Sequence, residues 1–336
     1  MTYDWIFYVQ MTCFGFLILS TPIYVVMIVM LINYRKREQD LSSSFFVLWI
    51  HLGVSDLSHS AIFWFSSKMP LMGFFSGFFL NASKSFAKFC MFLVFVTHIN
   101  QVLGIALLSL NRFTVILFPL SSETVWSKRW TIPISLIVCW SISALLSIPV
   151  LFMDMKWQYL ADGSKIAFHF LSSKSAGQYM WWVGVLLATV ASSIVVVYMD
   201  MFYRIRRMSV QQKRAMKSQI NLALCAFLVA TFLALLAISF CFFSFYEEDL
   251  VWGDNAIYFF LFCDLNSFCN SYLLLITSKV VRKRMKATLC CSANDFKIII
   301  NTVNLNTNNT NHIPVLKPKH KIGVSLEDSD EVEVFL

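Results

Sequence analysis

The chain has 336 residues, of which 58% are hydrophobic and only 14% are charged. Soluble domains are about 45–50% apolar and about 25% charged, so a soluble core of this size could not bury so much apolar surface. The net charge is +8, but the Lys and Arg residues lie in short clusters between apolar runs and not along one polar face. This distribution argues against nucleic acid as a partner, and the composition predicts a protein of the lipid bilayer.

Seven apolar runs are long enough to cross the membrane as helices, since about 20 residues span the ~30 Å hydrocarbon layer. They lie near residues 10–32, 44–66, 88–113, 131–153, 179–202, 220–245 and 256–277. Helices are favoured because separate strands would leave backbone groups unpaired in lipid. The predicted fold is an all-α membrane protein, a seven-transmembrane helix bundle. The first run is long enough to span and lacks a basic flank, so no cleavable signal peptide is expected.

Basic clusters predict the orientation of the bundle. The short loops after spans one, three and five carry the clusters Arg35–Arg37, Lys128–Arg129 and Arg204–Lys217. The opposite loops hold isolated lysines such as Lys68, and the segment from Glu247 to Asp254 is acidic. Because basic loops stay in the cytoplasm, the N-terminus is predicted outside and the C-terminus inside. Asn81 begins an Asn-Ala-Ser sequon in the loop between spans two and three, and this orientation makes it a candidate glycosylation site.

Polar groups inside the predicted spans are few, and their cost in lipid makes them candidates for interior and functional positions. They are His51, Asp56, His98, Asn100, Gln101, Asn221, Asp264, Asn266 and Asn270. Asn266, Ser267 and Asn270 share one face of span seven at helical spacing, so with Asp56 they are predicted to form one polar cluster. Two roles stay open for it: hydrogen bonds that hold the helices together, or signalling and ion binding.

Catalytic and metal-binding patterns were sought among the same residues. The nine cysteines show no zinc spacing, and no nucleophile arrangement or glycine-rich phosphate loop occupies a plausible catalytic position. The sequence therefore predicts no enzyme, no metal and no cofactor.

Four motifs resemble those of rhodopsin-like G-protein-coupled receptors, each on the matching span. Asn111–Leu120 closes span three and resembles the Asp-Arg-Tyr motif with its following Pro-Leu. Leu52–Asp56 resembles the Leu-x-x-x-Asp of span two, and Trp140 and Pro149 match the fourth-span pair. Asn270–Leu274 takes the place of Asn-Pro-x-x-Tyr, with Ser and Leu where that motif has Pro and Tyr. The resemblance covers the chain up to about residue 291.

Within that superfamily, the Asn-Arg-Phe-Thr wording and the short third cytoplasmic loop resemble the nematode serpentine chemoreceptors of the class gamma superfamily, with class V preferred. This resemblance implies a sensory receptor for small molecules or pheromones that signals through a heterotrimeric G protein from the plasma membrane, in a sensory cilium if it is a nematode chemoreceptor. The residues expected to couple to the G protein are Asn111, Arg112, Phe113 and Pro119.

The same resemblance implies that Asp56, Gln101, Asn266, Ser267 and Asn270 stand where related receptors have a sodium pocket. Gln101 replaces a residue that is usually small, so we expect a network of water and amides without sodium. The usual extracellular disulfide is also expected to be absent, because the loop from residue 154 to 178 contains no cysteine.

The ligand is expected to enter from outside, between the outer halves of spans three, five, six and seven. The candidate pocket residues are His98, Trp181, Trp182, Tyr258 and Asp264. Aromatic lining suggests a largely apolar, uncharged ligand, and an aromatic belt at the membrane interface explains the two tryptophans equally well. A transporter is disfavoured because repeats or broken spans are missing. A ligand-gated channel with its N-terminus inside is disfavoured by the charge bias.

The receptor domain is predicted to cover residues 1–286, followed by a disordered cytoplasmic tail over 287–336. Cys290 and Cys291 follow a basic stretch and are candidates for palmitoylation of a short amphipathic eighth helix, with two unmodified thiols as the alternative. Ser325 and Ser329 lie among acidic residues, where phosphorylation would favour a basic partner such as arrestin. The terminus Val334–Leu336 is of the type that PDZ modules bind, and an inert solvated tail is the alternative.

Overall fold

The computed structural model describes residues 4–38, 41–159, 166–171, 173–245 and 256–290. The chain divides into two units, Met1–Thr288 and Leu289–Leu336, and the sites described below belong to the first.

Each of the seven predicted runs is helical over almost its whole length. Spans one to seven are α1 (Asp4–Arg35), α2 (Ser44–Phe63), α5 (Lys84–Leu117), α7 (Thr131–Phe152), α8 (Ser173–Arg207), α10 (Lys217–Phe245) and α11 (Ala256–Thr277). Five of the described helices are long and apolar enough to cross a membrane, with mean hydropathy from 1.3 to 2.4, and span six contains a shorter apolar stretch, Gln219–Leu235. The predicted all-α bundle is therefore observed.

Shorter elements connect the spans. They are α3 (Met69–Leu71), α4 (Ser76–Asn81), α6 (Pro119–Trp126), β1 (Met155–Tyr159), β2 (Ile166–Phe170), α9 (Val210–Ala215) and α12 (Lys279–Cys290). We call the end of the bundle that carries β1 and β2 the hairpin end. The end at which spans one, three and five finish, with their Arg and Lys clusters, is the basic end. Helix α12 is the predicted short eighth helix, and its Arg284 forms an ion pair with Glu38 beyond span one.

Span three lies at the centre of the bundle, because it contacts spans two, four, five and six. It begins after Ser83, whose hydroxyl accepts a hydrogen bond from the backbone N–H of Phe86 and so caps the helix. Its 34 residues run from the hairpin end to Arg112 near the basic end. One rigid helix therefore connects the two ends at which a receptor would bind its partners.

Span two widens into a π-helix over Trp64–Lys68 before α3. Pro70 lies two residues beyond this π-helix and has no backbone N–H, so the carbonyl of Ser66 cannot form the ordinary α-helical bond to residue 70. The indole Nε1 of Trp157 donates to that carbonyl at 3.0 Å. The widened turn lengthens span two at its hairpin end. The hairpin packs against this turn through the hydrogen bond of Trp157.

The hairpin pairs β1 with β2 in antiparallel register, with Trp157 opposite Phe168. Trp157 is buried, and its ring centroid lies 4.6 Å from that of Phe168, 5.1 Å from Phe79 and 5.8 Å from Phe86. Since the segment from 154 to 178 has no cysteine, this aromatic cluster, and not a disulfide, holds the hairpin over the bundle. Cys90 in span three is a free, buried thiol.

Replacing Trp157 is expected to loosen the hairpin. Trp157→Ala removes a buried indole, a change that costs about 3–5 kcal/mol in protein cores, and should lower the melting temperature of the purified receptor in nanodiscs. Trp157→Phe keeps a ring but leaves the buried carbonyl of Ser66 unpaired, so it should cost about 1–3 kcal/mol. Adding a reducing agent should change neither value. Equal melting temperatures for Trp157→Ala and the wild type would show that the cluster does not hold the hairpin.

Candidate functional site

A buried carboxylate ties four spans together midway through the bundle. Asp56 accepts hydrogen bonds from the Tyr24 hydroxyl at 2.6 Å, Gln101 Nε2 at 2.8 Å and Asn270 Nδ2 at 2.6 Å. Gln101 Nε2 also lies 3.1 Å from the Ser267 hydroxyl oxygen. We call these five residues the Asp56 network. It joins spans one, two, three and seven.

The network contains four of the five residues predicted for it. Asn266 stands apart, because neither atom of its amide has a hydrogen-bond partner among the described residues. Tyr24 was not predicted, although a phenol inside the first apolar run was a signal that could have found it. Hydrogen bonds to a charged acceptor contribute about 1.5–3 kcal/mol each, so three donors compensate much of the cost of burying the carboxylate. The side chain of Gln101 reaches the carboxylate directly, and the expected absence of sodium stays a prediction.

A second buried ion pair lies at the hairpin end. Lys68 Nζ contacts Asp264, and Trp64 Nε1 donates to the same carboxylate at 3.2 Å. The Lys68 ammonium also lies 4.4 Å from the centroid of the Trp64 ring and 5.2 Å from that of Phe63, a cation–π arrangement. This pair ties span seven to the end of span two.

Lys68 was predicted to lie in an outer loop, and that prediction is wrong. The π-helix continues span two to residue 68, and the side chain is buried against Asp264. Asp264 was predicted to line a ligand pocket, and the structure gives it a lysine partner within the chain. A buried carboxylate and a buried ammonium are retained in such a site because each neutralises the other.

Two buried histidines lie between the Asp56 network and the ion pair of Lys68 with Asp264. The ring centroids of His59 and His98 are 5.2 Å apart, and His59 stacks on Phe63 at 5.4 Å. His59 Nδ1 lies 3.2 Å from the Thr97 hydroxyl oxygen on span three. His98 was predicted as a pocket residue. His59 was not, although it is a titratable group in span two one helical turn from Asp56, which was a usable signal.

At the basic end a buried arginine connects span three to span six. The Arg112 guanidinium donates to Gln219 Oε1 and, at 2.7 Å, to Asn111 Oδ1. It also lies 4.2 Å from the centroid of the Phe45 ring. Asn111 is held in turn by Ser44, to which its Nδ2 donates at 2.9 Å. An always-charged group at this depth therefore has two neutral acceptors and an aromatic face.

A family model described as the serpentine type seven-transmembrane GPCR chemoreceptor Srv matches residues 13–291. The chain belongs to the Srv family. Serpentine receptor class V-1 of Caenorhabditis elegans is 24% identical to it over 224 residues, which cover 66% of this chain and 70% of that receptor. The match confirms the predicted resemblance to class V serpentine chemoreceptors and makes this a multi-pass membrane protein with seven helices.

The outer half of span five in this Srv receptor departs from the predicted pocket. Trp182 is 70% exposed, so the structure turns it outwards, which corrects its assignment as a pocket residue. Trp181 is 38% exposed, and its assignment stays a prediction. Amphipathic rings on the outer surface near a helix end suit the membrane interface, the alternative weighed for them. The side chain of Tyr258 lies outside the described residues.

Some of the other predicted sites of the Srv receptor lie within the described residues, and others lie outside them. Phe113 is partly buried beside Arg112, with its ring centroid 6.2 Å from that of Phe118, and Pro119 begins helix α6. Asn81 is exposed at the end of α4. The side chains of Pro119 and Cys290, together with Cys291 and the tail, lie outside the described residues, so their predicted roles stay predictions.

Proposed function

We propose that this Srv protein is a G-protein-coupled chemosensory receptor. It binds a small molecule at the hairpin end, which faces outside, and activates a heterotrimeric G protein at the basic end, which faces the cytoplasm. Membership of a chemoreceptor family supports the general role, and the positive-inside bias of the loops supports the orientation. The plasma membrane, and a sensory cilium within it, is the expected location.

The observation that carries the proposal is the contact between Arg112 on span three and Gln219 near the start of span six. It closes the space between these spans at the basic end. Gln219 is a neutral acceptor, so the contact lacks the Coulomb attraction that a carboxylate would add. A contact of this strength can be broken and re-formed, which is the property that a two-state switch requires.

In the proposed mechanism, breaking that contact releases Arg112 to the G protein. Asn111 positions the guanidinium, and Phe113 and Pro119 are the further residues that we assign to the G-protein contact. A ligand that binds the open packing more tightly than the closed one shifts the population towards it. Span three carries both Gln101 of the Asp56 network and Arg112, so one helix joins the middle of the bundle to this contact.

A ligand screen tests the proposal. The full chain would be expressed in a heterologous cell with a panel of G proteins and exposed to a library of small molecules. We expect at least one compound to raise nucleotide exchange in receptor-bearing cells only. Ligand-evoked ion current that persists without any G protein would contradict the proposal and favour a channel.

Substituting Gln219 is expected to change basal activity in both directions. Gln219→Leu removes the acceptor for Arg112, and a loss of about 1–2 kcal/mol would raise the open population roughly 5–30-fold. Gln219→Glu adds a carboxylate beside the guanidinium and should lower basal activity. Basal nucleotide exchange at matched receptor density measures both effects. The same basal rate in both variants would remove Gln219 from the mechanism.

A further inference from the structure

Spans two and seven are tied at two levels, and a layer of polar side chains lies between the ties. The inner tie is the hydrogen bond between Asp56 and Asn270, and the outer tie joins Trp64 and Lys68 to Asp264. Span three enters the same region, because Gln101 belongs to the inner level and Thr97 lies one turn further out. The residues between the ties form what we call the middle layer: His59, Ser60, His98 and Asn266.

Three members of this layer are more than nine-tenths buried and have polar atoms without a hydrogen-bond partner among the described residues. His59 is 2% exposed, Ser60 4% and Asn266 1%. The atoms concerned are His59 Nε2, the Ser60 hydroxyl oxygen and both amide atoms of Asn266. Each unpaired buried group costs about 1–3 kcal/mol. Three of them in one layer point to an occupant that supplies their partners.

Thr97 determines what His59 offers to that occupant. The Thr97 hydroxyl can donate its single proton to the backbone carbonyl of Leu93 at 2.8 Å or of Val94 at 3.1 Å. With the proton used in this way, the Thr97 oxygen accepts from His59 Nδ1 at 3.2 Å, and this arrangement favours the neutral tautomer with its proton on Nδ1. His59 Nε2 is then a pure acceptor, and it requires a donor.

The side chains of the middle layer favour an uncharged occupant. Asp264, at the outer tie, is paired with Lys68, and Asp56, at the inner tie, already accepts three hydrogen bonds. The layer itself consists of imidazole, hydroxyl and amide groups, which can hydrogen-bond a neutral group, and an ion without a counter-ion is costly to bury.

We propose that the middle layer binds the polar end of a small, uncharged ligand that carries an O–H or N–H group. That group donates to His59 Nε2, and the Ser60 hydroxyl on the same span is the next candidate partner for the polar end. The inference rests on the proposed function as a ligand-activated receptor and deepens it. It places the polar end among spans two, three and seven, whereas the sequence predicted spans three, five, six and seven.

Two probes of the same carbon skeleton test the layer without any G protein. Binding of 2-pentanol, which can donate, and of 2-pentanone, which only accepts, would be measured by saturation-transfer NMR on the purified full chain in nanodiscs. We expect the wild type to bind the alcohol about tenfold more tightly than the ketone. His59→Phe keeps a ring against Phe63 and should abolish the difference, and it also corrects for partition of the probes into lipid.

Two substitutions of Thr97 test which ring nitrogen of His59 carries the proton. Thr97→Val removes the side-chain acceptor for Nδ1 and leaves the backbone carbonyl of Val94, so the preference for the alcohol should weaken. Thr97→Ser keeps the hydroxyl and should keep the preference for the alcohol. The proposal is overturned if the wild type binds neither probe more tightly than His59→Phe does, since the layer then holds water only. Selective binding without G-protein activation by any compound would instead contradict the proposed function alone.

Discussion

Arg112→Ala is expected to abolish ligand-evoked nucleotide exchange on the G protein while leaving the number of receptors at the cell surface unchanged. The substitution removes the guanidinium that we assign to the G-protein contact, and no neighbouring side chain described in the structure carries a charge that could replace it at that depth. Ligand binding should persist, because the substitution lies at the opposite end of span three from the hairpin. Surface labelling, probe binding and nucleotide exchange would be measured together.

Arg129 provides the matched control. It is exposed at the basic end, in the segment after α6, and its guanidinium carbon lies over the Trp130 ring at 5.6 Å from the centroid. Arg129→Ala therefore removes the same charge from the same end without touching the contact between spans three and six. Exchange should remain close to that of the wild type. Normal exchange in Arg112→Ala would end the assignment of Arg112, whatever the control shows.

Either single substitution that breaks the ion pair between Lys68 and Asp264 is expected to destabilise the bundle strongly. Lys68→Met leaves a buried carboxylate without its counter-ion, and Asp264→Leu leaves a buried ammonium. Removing one partner of a buried pair typically costs about 3–5 kcal/mol, whereas replacing both with apolar residues is often neutral. The double variant should therefore be more stable than either single variant. Melting temperature in nanodiscs measures the effect.

An exposed ion pair on span five serves as the control. Asp200 and Arg204 are one turn apart at 3.1 Å, with side chains 40% and 52% exposed. Such helical surface pairs contribute about 0.3–0.5 kcal/mol, so Asp200→Ala should barely change the melting temperature. A double variant at positions 68 and 264 that melts below both single variants would show that the pair contributes more than mutual neutralisation.

The helices of this protein could be predicted closely from the sequence, because hydropathy in lipid depends on composition along one helix. Span four was predicted over 131–153 and is observed over Thr131–Phe152, and span seven was predicted over 256–277 and is observed over Ala256–Thr277. The Asp56 network could be predicted in part, since helical spacing placed Ser267 and Asn270 on one face.

The contacts between spans could not be predicted in the same way. Lys68 follows the apolar run of span two, so the sequence predicts a loop position for it. Its burial depends on the π-helix before Pro70, and its partner Asp264 is 196 positions away along the chain. Gln219 is an ordinary polar residue at a span boundary, and its role depends on how spans three and six pack. Trp181 and Trp182 could face inwards or outwards, because apolar residues on all sides of a span leave its rotation undefined.

The central claim is that the contact between Arg112 and Gln219 opens when the receptor engages its G protein. The most direct test is the distance between spin labels on Arg35 and Lys217, exposed residues at the basic ends of spans one and six, introduced as non-natural amino acids so that the native cysteines stay unlabelled. In nanodiscs, double electron–electron resonance should give a shorter distance between the labels for the receptor alone and a longer distance when nucleotide-free G protein is bound. The Gln219→Leu variant should populate the longer distance even without G protein. An unchanged distance in a receptor that still drives nucleotide exchange would contradict the claim.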